Sequence, residues 1–242
     1  MIFLKTYYVI NGEYLELGVS ELKALIETYD PSSEIVECHT RLCIVEHNDL
    51  NVLYKIMNRA SLIDEAGLLI GRDNLYEPSY SYIDEIDPGK YSWLKITNPY
   101  SIHRLEKINE YARRIHELTN ISIRYKPGNP LHIFFSEGEV IVGETLIQLD
   151  KKQFHSRSPD KKPFFRSIAL KPRVARLLVN LARVREGEIL LDPFCGTGRV
   201  LVEAGLMGIK GIGVEIDREL VKGASTNIKY YNIKDVILLN AD

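Results

Sequence analysis

The order of apolar and polar positions divides the first seventy residues into short strands and amphipathic helices. Continuous or alternating apolar runs predict strands, whereas apolar residues spaced three or four positions apart predict helices. By this criterion the chain begins with a strand, a helix, a strand or hairpin, a second helix and a closing strand. The predicted ranges are 2–10, 17–26, 34–46, 50–60 and 62–70.

That succession indicates an α+β domain of the ferredoxin-like type over residues 1–70. A second α+β unit is predicted over residues 71–150. Its strands are expected at 91–97, 121–125, 131–136 and 140–149, and its helix at 102–118. The helix has an apolar face at helical spacing, formed by Leu105, Ile108, Ala112 and Ile115.

The pattern changes after residue 150. Residues 151–164 contain two prolines and little periodicity, and we interpret them as a linker. A helix is predicted over 171–183, with an inward face formed by Val174, Leu177, Leu178 and Leu181. From residue 188 onward strands and helices alternate, which is typical of a doubly wound α/β fold. Three strands are predicted, whereas open sheets have about five or six, so residues 165–242 are expected to form an incomplete α/β domain.

Charge is distributed unevenly, although the whole chain has a net charge of −2. Residues 1–89 contain 6 basic and 16 acidic side chains, whereas residues 90–185 contain 19 basic and 8 acidic ones. Eleven of these basic side chains lie between residues 151 and 185, where Asp160 is the one acid. Such a stripe is typical of proteins that bind a phosphate backbone. A solvated linker followed by an exposed helix face would carry the same charges.

The overall composition, with 45% hydrophobic and 26% charged residues, is that of an ordinary globular protein. No apolar run reaches the roughly 18–20 residues of a membrane span, and the N-terminus lacks a secretion-signal pattern. The three cysteines form no CxxC pair and the histidines show no ligand spacing, which argues against a disulfide framework and a metal site. A cytoplasmic location with reduced thiols is therefore expected.

The candidate chemistry lies in a glycine-containing loop after the first strand of the α/β part. The segment Asp192-Pro193-Phe194-Cys195-Gly196-Thr197-Gly198 places two glycines where a ligand would approach the backbone closely. It matches neither the GxGxxG dinucleotide pattern nor a P-loop. Asp192 suits a cationic amine and would repel a pyrophosphate. Glu215, 23 residues later, has the spacing of an acid that hydrogen-bonds a ribose diol.

The loop and its two acids thus predict a ligand that has an amine and a ribose but no phosphate. S-adenosylmethionine fits this description, and we expect it as the cofactor. Cys195 lies in the same loop, but no histidine stands at the spacing of a nucleophile motif. We therefore interpret Cys195 as a small loop residue with no catalytic role.

The loop resembles the cofactor loop of methyltransferases that modify exocyclic amines of bases. The upstream segments 162–165 and 170–181 resemble a narrower family, the archaeal-type tRNA guanosine-N2 methyltransferases that act near position 10. The resemblance covers nearly the whole chain and is strongest from Lys162 to Asp217. It implies a ferredoxin-like domain and a THUMP RNA-binding domain, the latter at 71–150, followed by a Rossmann-like methyltransferase domain.

The resemblance also assigns residues to the cofactor. Asp192 would face the methionine amine, Glu215 would hold the ribose, and Asp242 would reach the adenine amino group. Phe165 would lie in the segment that closes over the methionine end. The full set expected to bind S-adenosylmethionine is Phe165, Asp192, Pro193, Phe194, Gly196, Thr197, Gly198, Glu215, Ile216 and Asp242.

The partner that the resemblance implies is tRNA. The basic residues expected to contact it are Lys126, Lys151, Lys152, Arg157, Lys161 and Lys162. The family's Asp/Asn-Pro-Pro-Tyr/Phe element, which binds the target amine, is absent from these 242 residues, so no catalytic residue is assigned and the chain alone is not expected to methylate tRNA. Two alternatives stay open: an RNA-binding module with a vestigial transferase part, and a base-amine methyltransferase with another RNA or DNA target.

Overall fold

The structure is a computed structural model that describes residues 4–99, 104–158, 161, 163–166 and 170–242. In chain order the described elements are β1 (Leu4–Ile10), α1 (Leu15–Tyr29), β2 (Glu34–His39), β3 (Leu42–His47), α2 (Asn51–Arg59), β4 (Ile63–Asn74), β5 (Trp93–Thr97), α3 (Leu105–Thr119), β6 (Pro130–Ser136), β7 (Glu139–Gln148), α4 (Lys152–His155), α5 (Pro172–Leu181), β8 (Ile189–Asp192), α6 (Arg199–Leu206), β9 (Lys210–Glu215), α7 (Arg218–Tyr230) and β10 (Val236–Asn240). None of the helices in the described ranges combines the length and the apolar character that crossing a membrane requires.

The chain folds into two compact units. The N-terminal unit consists of Met1–Leu15, Ser32–Met57 and Ile63–Gln148, and the C-terminal unit consists of Glu16–Pro31, Asn58–Leu62 and Leu149–Asp242. The C-terminal unit thus contains most of α1, which lies early in the sequence. The predicted alternation of strands and helices is confirmed over residues 1–70, where the described elements follow the order β, α, β, β, α, β.

The N-terminal unit is built on one seven-stranded sheet with the order β2-β3-β1-β4-β7-β6-β5. Neighbouring strands are antiparallel except for the parallel pair of β5 and β6. The predicted boundary between residues 70 and 71 lies inside β4, which pairs with β1 on one side and with β7 on the other. The two predicted α+β units therefore share a sheet, because one long strand belongs to both.

A buried polar cluster crosses the middle of this sheet. The hydroxyl of Tyr7 donates to Glu65 at 2.9 Å, and His132 lies 2.6 Å from the same carboxylate. The ring of Tyr7 packs against two glycines, Gly67 and Gly143. A Cβ atom added at Gly67 would lie 2.7 Å from the ring, and one added at Gly143 would lie 2.4 Å from it. The small residues thus make room for a hydrogen-bonded core in which the buried polar groups find partners.

Two apolar positions and one strand differ from the sequence prediction. Leu105 was expected on the apolar face of α3 and Leu178 on the inward face of α5, but these residues are 71% and 43% exposed. The predicted strand at 121–125 is wrong, because a single bridge between Trp93 and Ser122 is the β pairing that the described residues show there. The rest of the segment 122–129 is a loop that ends in a glycine turn.

The expectation of free thiols at Cys38 and Cys43 is also wrong, because the structure joins these two residues in a disulfide. They lie opposite each other on the antiparallel strands β2 and β3. Directly opposed residues of a hairpin bring their Cβ atoms within disulfide reach. The spacing of five residues carried no signal by itself, since the register of the hairpin decides which side chains meet.

The C-terminal unit contains a three-stranded parallel sheet with the order β10-β9-β8. Apolar side chains of α5, α6 and β8 form its core together with the residues before β9, and the buried members of that core are Val179, Leu190, Ala204, Met207 and Ile209. Segments 16–31 and 58–62 join the unit through Glu21, whose buried carboxylate accepts hydrogen bonds from Ser61, Leu62 and Asn180. A buried carboxylate requires such donors, because unpaired burial of a charge is costly.

Candidate functional site

The candidate site lies at the carboxyl ends of the parallel neighbours β8 and β9. Asp192 ends β8 and Glu215 ends β9, so the sheet brings the two acids together at one edge. The loop between β8 and α6 is held to β9 by two hydrogen bonds. The amide of Cys195 donates to the carbonyl of Val214 at 2.9 Å, and the amide of Gly196 donates to Glu215 Oε2 at 3.0 Å. Ligands of open α/β sheets bind at this edge.

The two glycines of the loop have different structural roles. Gly198 is the N-cap of α6 at a φ of 75°, and an added Cβ would lie 3.0 Å from the Cβ of Ala224. Gly196 has a φ of 51°, and an added Cβ would meet no atom within 4 Å. Gly198 therefore permits close packing of α6 against α7, whereas Gly196 leaves backbone open to an incoming ligand.

A cavity of about 570 Å³ lies beside the loop, which is within the size range of small-molecule sites. Four predicted cofactor residues line it: Asp192, Phe194, Gly196 and Thr197. Other lining residues were missed by the sequence analysis, namely Arg166, Leu170, Leu178, Cys195, Arg199, Val200, Asp217 and Leu220. The exposure of Leu178 is explained by this position, because the side chain forms part of the cavity wall.

The remaining predicted cofactor residues are not among the residues that line the cavity in the described part of the chain. Pro193 and Gly198 belong to the loop itself, and Phe165 and Ile216 are exposed apolar side chains with 49% and 67% of their surface accessible. Glu215 contacts the loop through its carboxylate, which accepts the amide of Gly196. Asp242 is exposed after the end of β10.

The end of β10 is attached to the end of β9 near these residues. The side-chain amide of Asn240 donates to the carbonyls of Glu215 and Ile216 at 2.9 and 2.8 Å. Glu215 in turn accepts the amide of Asp217 at 2.9 Å, and Asp217 caps α7. The carboxylate of Glu215 thus holds the loop and the start of α7, and the main-chain carbonyl of the same residue holds the end of β10.

The electrostatics of the loop are dominated by its acids. Burial raises the pKa of Asp192 above its usual range, and repulsion from Glu215 raises it further, against the hydrogen bond from the amide of Phe194. Burial, followed by the two acids, raises the pKa of Cys195 to about 11. A thiol in this environment stays protonated at neutral pH, which agrees with the interpretation of Cys195 as a small loop residue. The negative charges of the two acids favour binding of a cationic group of a ligand.

The segment 163–166 is held against α7. The side-chain amide of Asn227 accepts from the backbone amide of Phe164 and donates to its carbonyl, each at 3.1 Å. The ring of Phe164 lies so close to Gly223 that an added Cβ would be 2.1 Å from a ring atom. This anchoring fixes the next residues, Phe165 and Arg166, near the cavity. Arg166 lines the cavity and also pairs with an exposed glutamate of α7.

The residues predicted to bind RNA fall into three groups. Lys126 lies in the N-terminal unit, and Lys151, Lys152 and Lys161 lie in the C-terminal unit; all four are exposed. Lys162 lies outside the described residues. The side chain of Arg157 is less exposed than those of the four lysines, at 11%, and it forms an ion pair.

The partner of Arg157 is Glu203, a fully buried residue of α6. Arg157 binds both carboxylate oxygens, at 2.9 and 3.1 Å, and Arg176 binds one of them at 3.0 Å. Both guanidinium groups also lie over the ring of Phe154, at 5.1 and 5.5 Å from its centroid. Arg157 therefore attaches the segment after α4 to the core of the C-terminal unit.

A second cluster of ligand-type side chains lies in the N-terminal unit. Glu37, His39 and Glu139 place one ligand atom each within 4.8 Å of one another. The guanidinium of Arg72 pairs with Glu37 at 2.5 Å and with Glu139 at 2.6 Å. Because the two carboxylates already have a cationic partner, we interpret the cluster as a surface ion-pair network and not as a metal site.

Comparison with known proteins gives relatives along the whole chain. A family model described as RMKL-like, methyltransferase domain, matches residues 159–242. The tRNA (guanine(10)-N2)-dimethyltransferase of Methanocaldococcus jannaschii is 32% identical, over 96% of this chain and 72% of that protein. The protein of the same name from Pyrococcus abyssi is 31% identical, over 98% of this chain and 71% of its own length.

Solved structures agree at the level of the fold. TrmN from Thermus thermophilus matches with a TM-score of 0.56 and 15% identity, over 98% of this chain and 73% of that one. SMU.472, in a complex with SAH, matches with a TM-score of 0.51 and 10% identity, over 99% of this chain and 76% of that one.

Proposed function

This chain belongs to the tRNA (guanine(10)-N2)-dimethyltransferase family, and we propose from this premise that it binds S-adenosylmethionine beside the β8–α6 loop for methylation of a guanosine N2 amine at position 10 of tRNA. The enzyme works in the cytoplasm together with its tRNA substrate. The observation that carries the proposal is the position of Asp192 and Glu215 at the carboxyl ends of two neighbouring parallel strands, next to an open glycine and a cavity of about 570 Å³.

Each residue of the loop has a role that follows from its chemistry. The carboxylate of Asp192 binds the cationic amine of the methionine part, and Glu215 accepts hydrogen bonds from the ribose diol. Gly196 lets the ligand approach the backbone, and the exposed rings of Phe165 and Phe194 supply apolar surface. S-adenosylmethionine supplies the electrophilic methyl group, and the protein accelerates transfer mainly by orientation of the reactants.

Calorimetric titration with S-adenosylhomocysteine, the demethylated product, tests the cofactor site directly. We expect one molecule to bind per chain. ATP serves as the control because it shares the adenosine part but carries phosphates, which the two acids repel. Absence of binding by S-adenosylhomocysteine, or equal binding of ATP, would contradict the proposal.

The affinity for S-adenosylhomocysteine should fall as the pH is lowered into the acidic range. Protonation of Asp192 removes the charge that attracts the ligand amine, and since burial and then Glu215 raise its pKa, the loss begins at a higher pH than for an ordinary aspartate. Calorimetry over a pH series measures this dependence. Asp192→Asn should bind weakly at every pH and lose the dependence; an unchanged pH profile in that variant would exclude Asp192 as the titrating group.

The domain organisation that best fits this function consists of a ferredoxin-like domain at 1–70 and a THUMP domain at 71–150, which share β4, followed by a basic linker at 151–164 and a Rossmann-like methyltransferase domain at 165–242. The order of the first four strands, β2-β3-β1-β4, supports the first assignment. The loop, the acids and the parallel sheet support the last. In this organisation the exposed lysines of the linker, Lys151, Lys152 and Lys161, contact tRNA phosphates.

Replacing Lys151, Lys152 and Lys161 together with glutamine should flatten the salt dependence of tRNA binding. Each lost phosphate contact reduces the slope of log affinity against log salt by about 0.7–0.9. Filter binding of tRNA over a series of salt concentrations measures the slope. The matched control replaces three exposed lysines of the acidic region, Lys5, Lys23 and Lys55, and changes the net charge equally. Equal slopes for the two triple variants would show that the linker does not bind phosphates.

A further inference from the structure

The cavity beside the β8–α6 loop is lined by residues of opposite charge. They include the acids Asp192 and Asp217 and the arginines Arg166 and Arg199. The proposed function uses Asp192 for the cationic amine of the ligand and gives the arginines no role. An α-amino acid carries a carboxylate next to its amine, and a carboxylate binds most strongly to a cationic donor. The arginines are therefore candidates for that partner.

The two arginines differ in burial and in hydrogen bonding. Arg166 has a side chain that is 47% exposed and pairs with Glu219 at 2.7 Å. Arg199, the first residue of α6, is 3% exposed. Its Nη1 donates to the carbonyl of Arg157 at 2.7 Å, whereas its Nε and Nη2 are buried without a hydrogen-bond partner in the described part of the chain. Because buried donors without an acceptor cost free energy, a ligand that supplies an acceptor to Arg199 recovers that free energy.

The two unpartnered nitrogens of Arg199 form one edge of its guanidinium group. Such an edge matches the spacing of the two oxygens of a carboxylate. Arg157 uses the same edge in this molecule, since its Nε and Nη2 bind the two oxygens of Glu203 at 2.9 and 3.1 Å. Arg199 lines the cavity, and rotation between side-chain rotamers turns its free edge toward a ligand without movement of α6.

The surroundings of Arg199 carry more positive than negative charge. Glu203 forms ion pairs with Arg157 and Arg176, and its charge also acts on Arg199. Among the described residues, one buried carboxylate therefore serves three guanidinium groups that are largely buried. Burial lowers the pKa of Arg199, which indicates that the surroundings compensate its charge incompletely. A further negative group beside Arg199 would balance this charge.

We propose that Arg199 binds the α-carboxylate of the amino-acid part of the ligand, while Asp192 binds its amine. The inference rests on the proposed function for the identity of the ligand as S-adenosylmethionine or its demethylated product. Arg199 is then a specificity-determining residue, because it favours ligands that have a carboxylate over ligands that have the amine alone. A phosphate would also fit the free edge, but Asp192 and Glu215 repel its larger negative charge.

The test compares two ligands that differ only in the carboxylate. Calorimetry on the 242-residue chain measures the affinity of S-adenosylhomocysteine and of its decarboxylated analogue, which keeps the amine and the adenosine. The unmodified chain should bind the analogue about 10- to 150-fold more weakly, the equivalent of one charge-assisted hydrogen bond. Arg199→Met should bind S-adenosylhomocysteine more weakly by a similar factor and should no longer distinguish the two ligands. A merely structural role of Arg199 would weaken binding of both ligands and leave the ratio of their affinities unchanged.

The matched control is Arg218→Met. Arg218 is the first residue of α7, as Arg199 is of α6, so both substitutions remove a guanidinium from the start of a helix at the same sheet edge. Arg218 is exposed and is not among the described residues that line the cavity. Its variant should keep the affinity ratio of the unmodified chain. Arg199→Lys keeps a positive charge but lacks the two-nitrogen edge, so it should retain part of the ratio.

Urea unfolding without ligand shows whether each variant is folded, and Arg199→Lys takes the place of Arg199→Met if the latter is unfolded. Retention of the full ratio in the Arg199 variant would overturn the inference. Loss of the ratio in Arg218→Met, or in Arg166→Met, would also overturn it, since the carboxylate would then depend on another arginine. Equal binding of the two ligands by the unmodified chain would refute the role of Arg199 and leave the cofactor site in place. Absence of any binding of S-adenosylhomocysteine would instead contradict the proposed function, and this inference with it.

Discussion

Replacing Glu203 with alanine should lower the free energy of unfolding by about 3–5 kcal/mol, the usual cost of removing one partner from a buried ion pair. Glu203 is fully buried and accepts three hydrogen bonds, two from Arg157 and one from Arg176. Without the carboxylate, both guanidinium groups stay in a low-dielectric site without a counter-ion. Burial already lowers the pKa of Arg176, so this charge depends on Glu203 for its stability.

Urea unfolding followed by circular dichroism measures this effect. The matched control is Glu219→Ala, which removes an ion pair with Arg166 on the surface, where the two side chains are 64% and 47% exposed. Exposed pairs contribute at most about 1 kcal/mol. Glu203→Gln should lie between the two, because the amide retains one acceptor. A change in Glu203→Ala no larger than that in Glu219→Ala would show that the arginines find other partners.

Replacing Glu215 with alanine should weaken binding of S-adenosylhomocysteine by about 10- to 150-fold, the equivalent of one charge-assisted hydrogen bond. The variant loses the proposed acceptor of the ribose diol. It also releases the loop, because Glu215 accepts the amide of Gly196 at 3.0 Å and that of Asp217 at 2.9 Å. Loss of the ribose acceptor and release of the loop thus both weaken binding of S-adenosylhomocysteine.

Calorimetry on Glu215→Ala and Glu215→Gln separates the two contributions. The glutamine retains an oxygen that can hold the amide of Gly196 and loses the charge, so we expect an intermediate affinity. Glu188→Ala is the control, since Glu188 is exposed just before the amino end of β8, at the opposite edge of the sheet. Unchanged affinity in Glu215→Ala would refute the assignment of this acid to the cofactor.

The strand, loop and helix from Ile189 to Leu206 could be predicted from sequence because their features are local. Asp192 and the two glycines stand within seven consecutive residues, and the strand before them and the helix after them have clear patterns. A parallel sheet then places Glu215 beside them without further information, since neighbouring strands in β-α-β units end at the same edge. The wall of the cavity was missed because Leu178 carries an ordinary amphipathic pattern.

The strand registers of the N-terminal sheet could not be predicted from the pattern of apolar and polar residues. Cys38 and Cys43 meet because the hairpin of β2 and β3 aligns them. The segment predicted as a strand at 121–125 leaves the edge of β5 after a single bridge, and this departure exposes Tyr125. Both outcomes depend on hydrogen-bond pairing between strands, which the spacing of apolar residues does not specify.

By itself the sequence determined the succession of elements, the charge asymmetry and the acids that surround a glycine loop, since each depends on residues close together along the chain. The tertiary structure alone decided that Arg157 binds Glu203, 46 residues away, although its neighbours suggested an RNA contact. It also decided that β4 unites two predicted domains in one sheet. The physical reason is common to both cases. Long-range pairing is determined by burial and by the need of every buried polar group for a hydrogen-bond partner. The local spacing of apolar residues does not specify which distant residues meet these requirements.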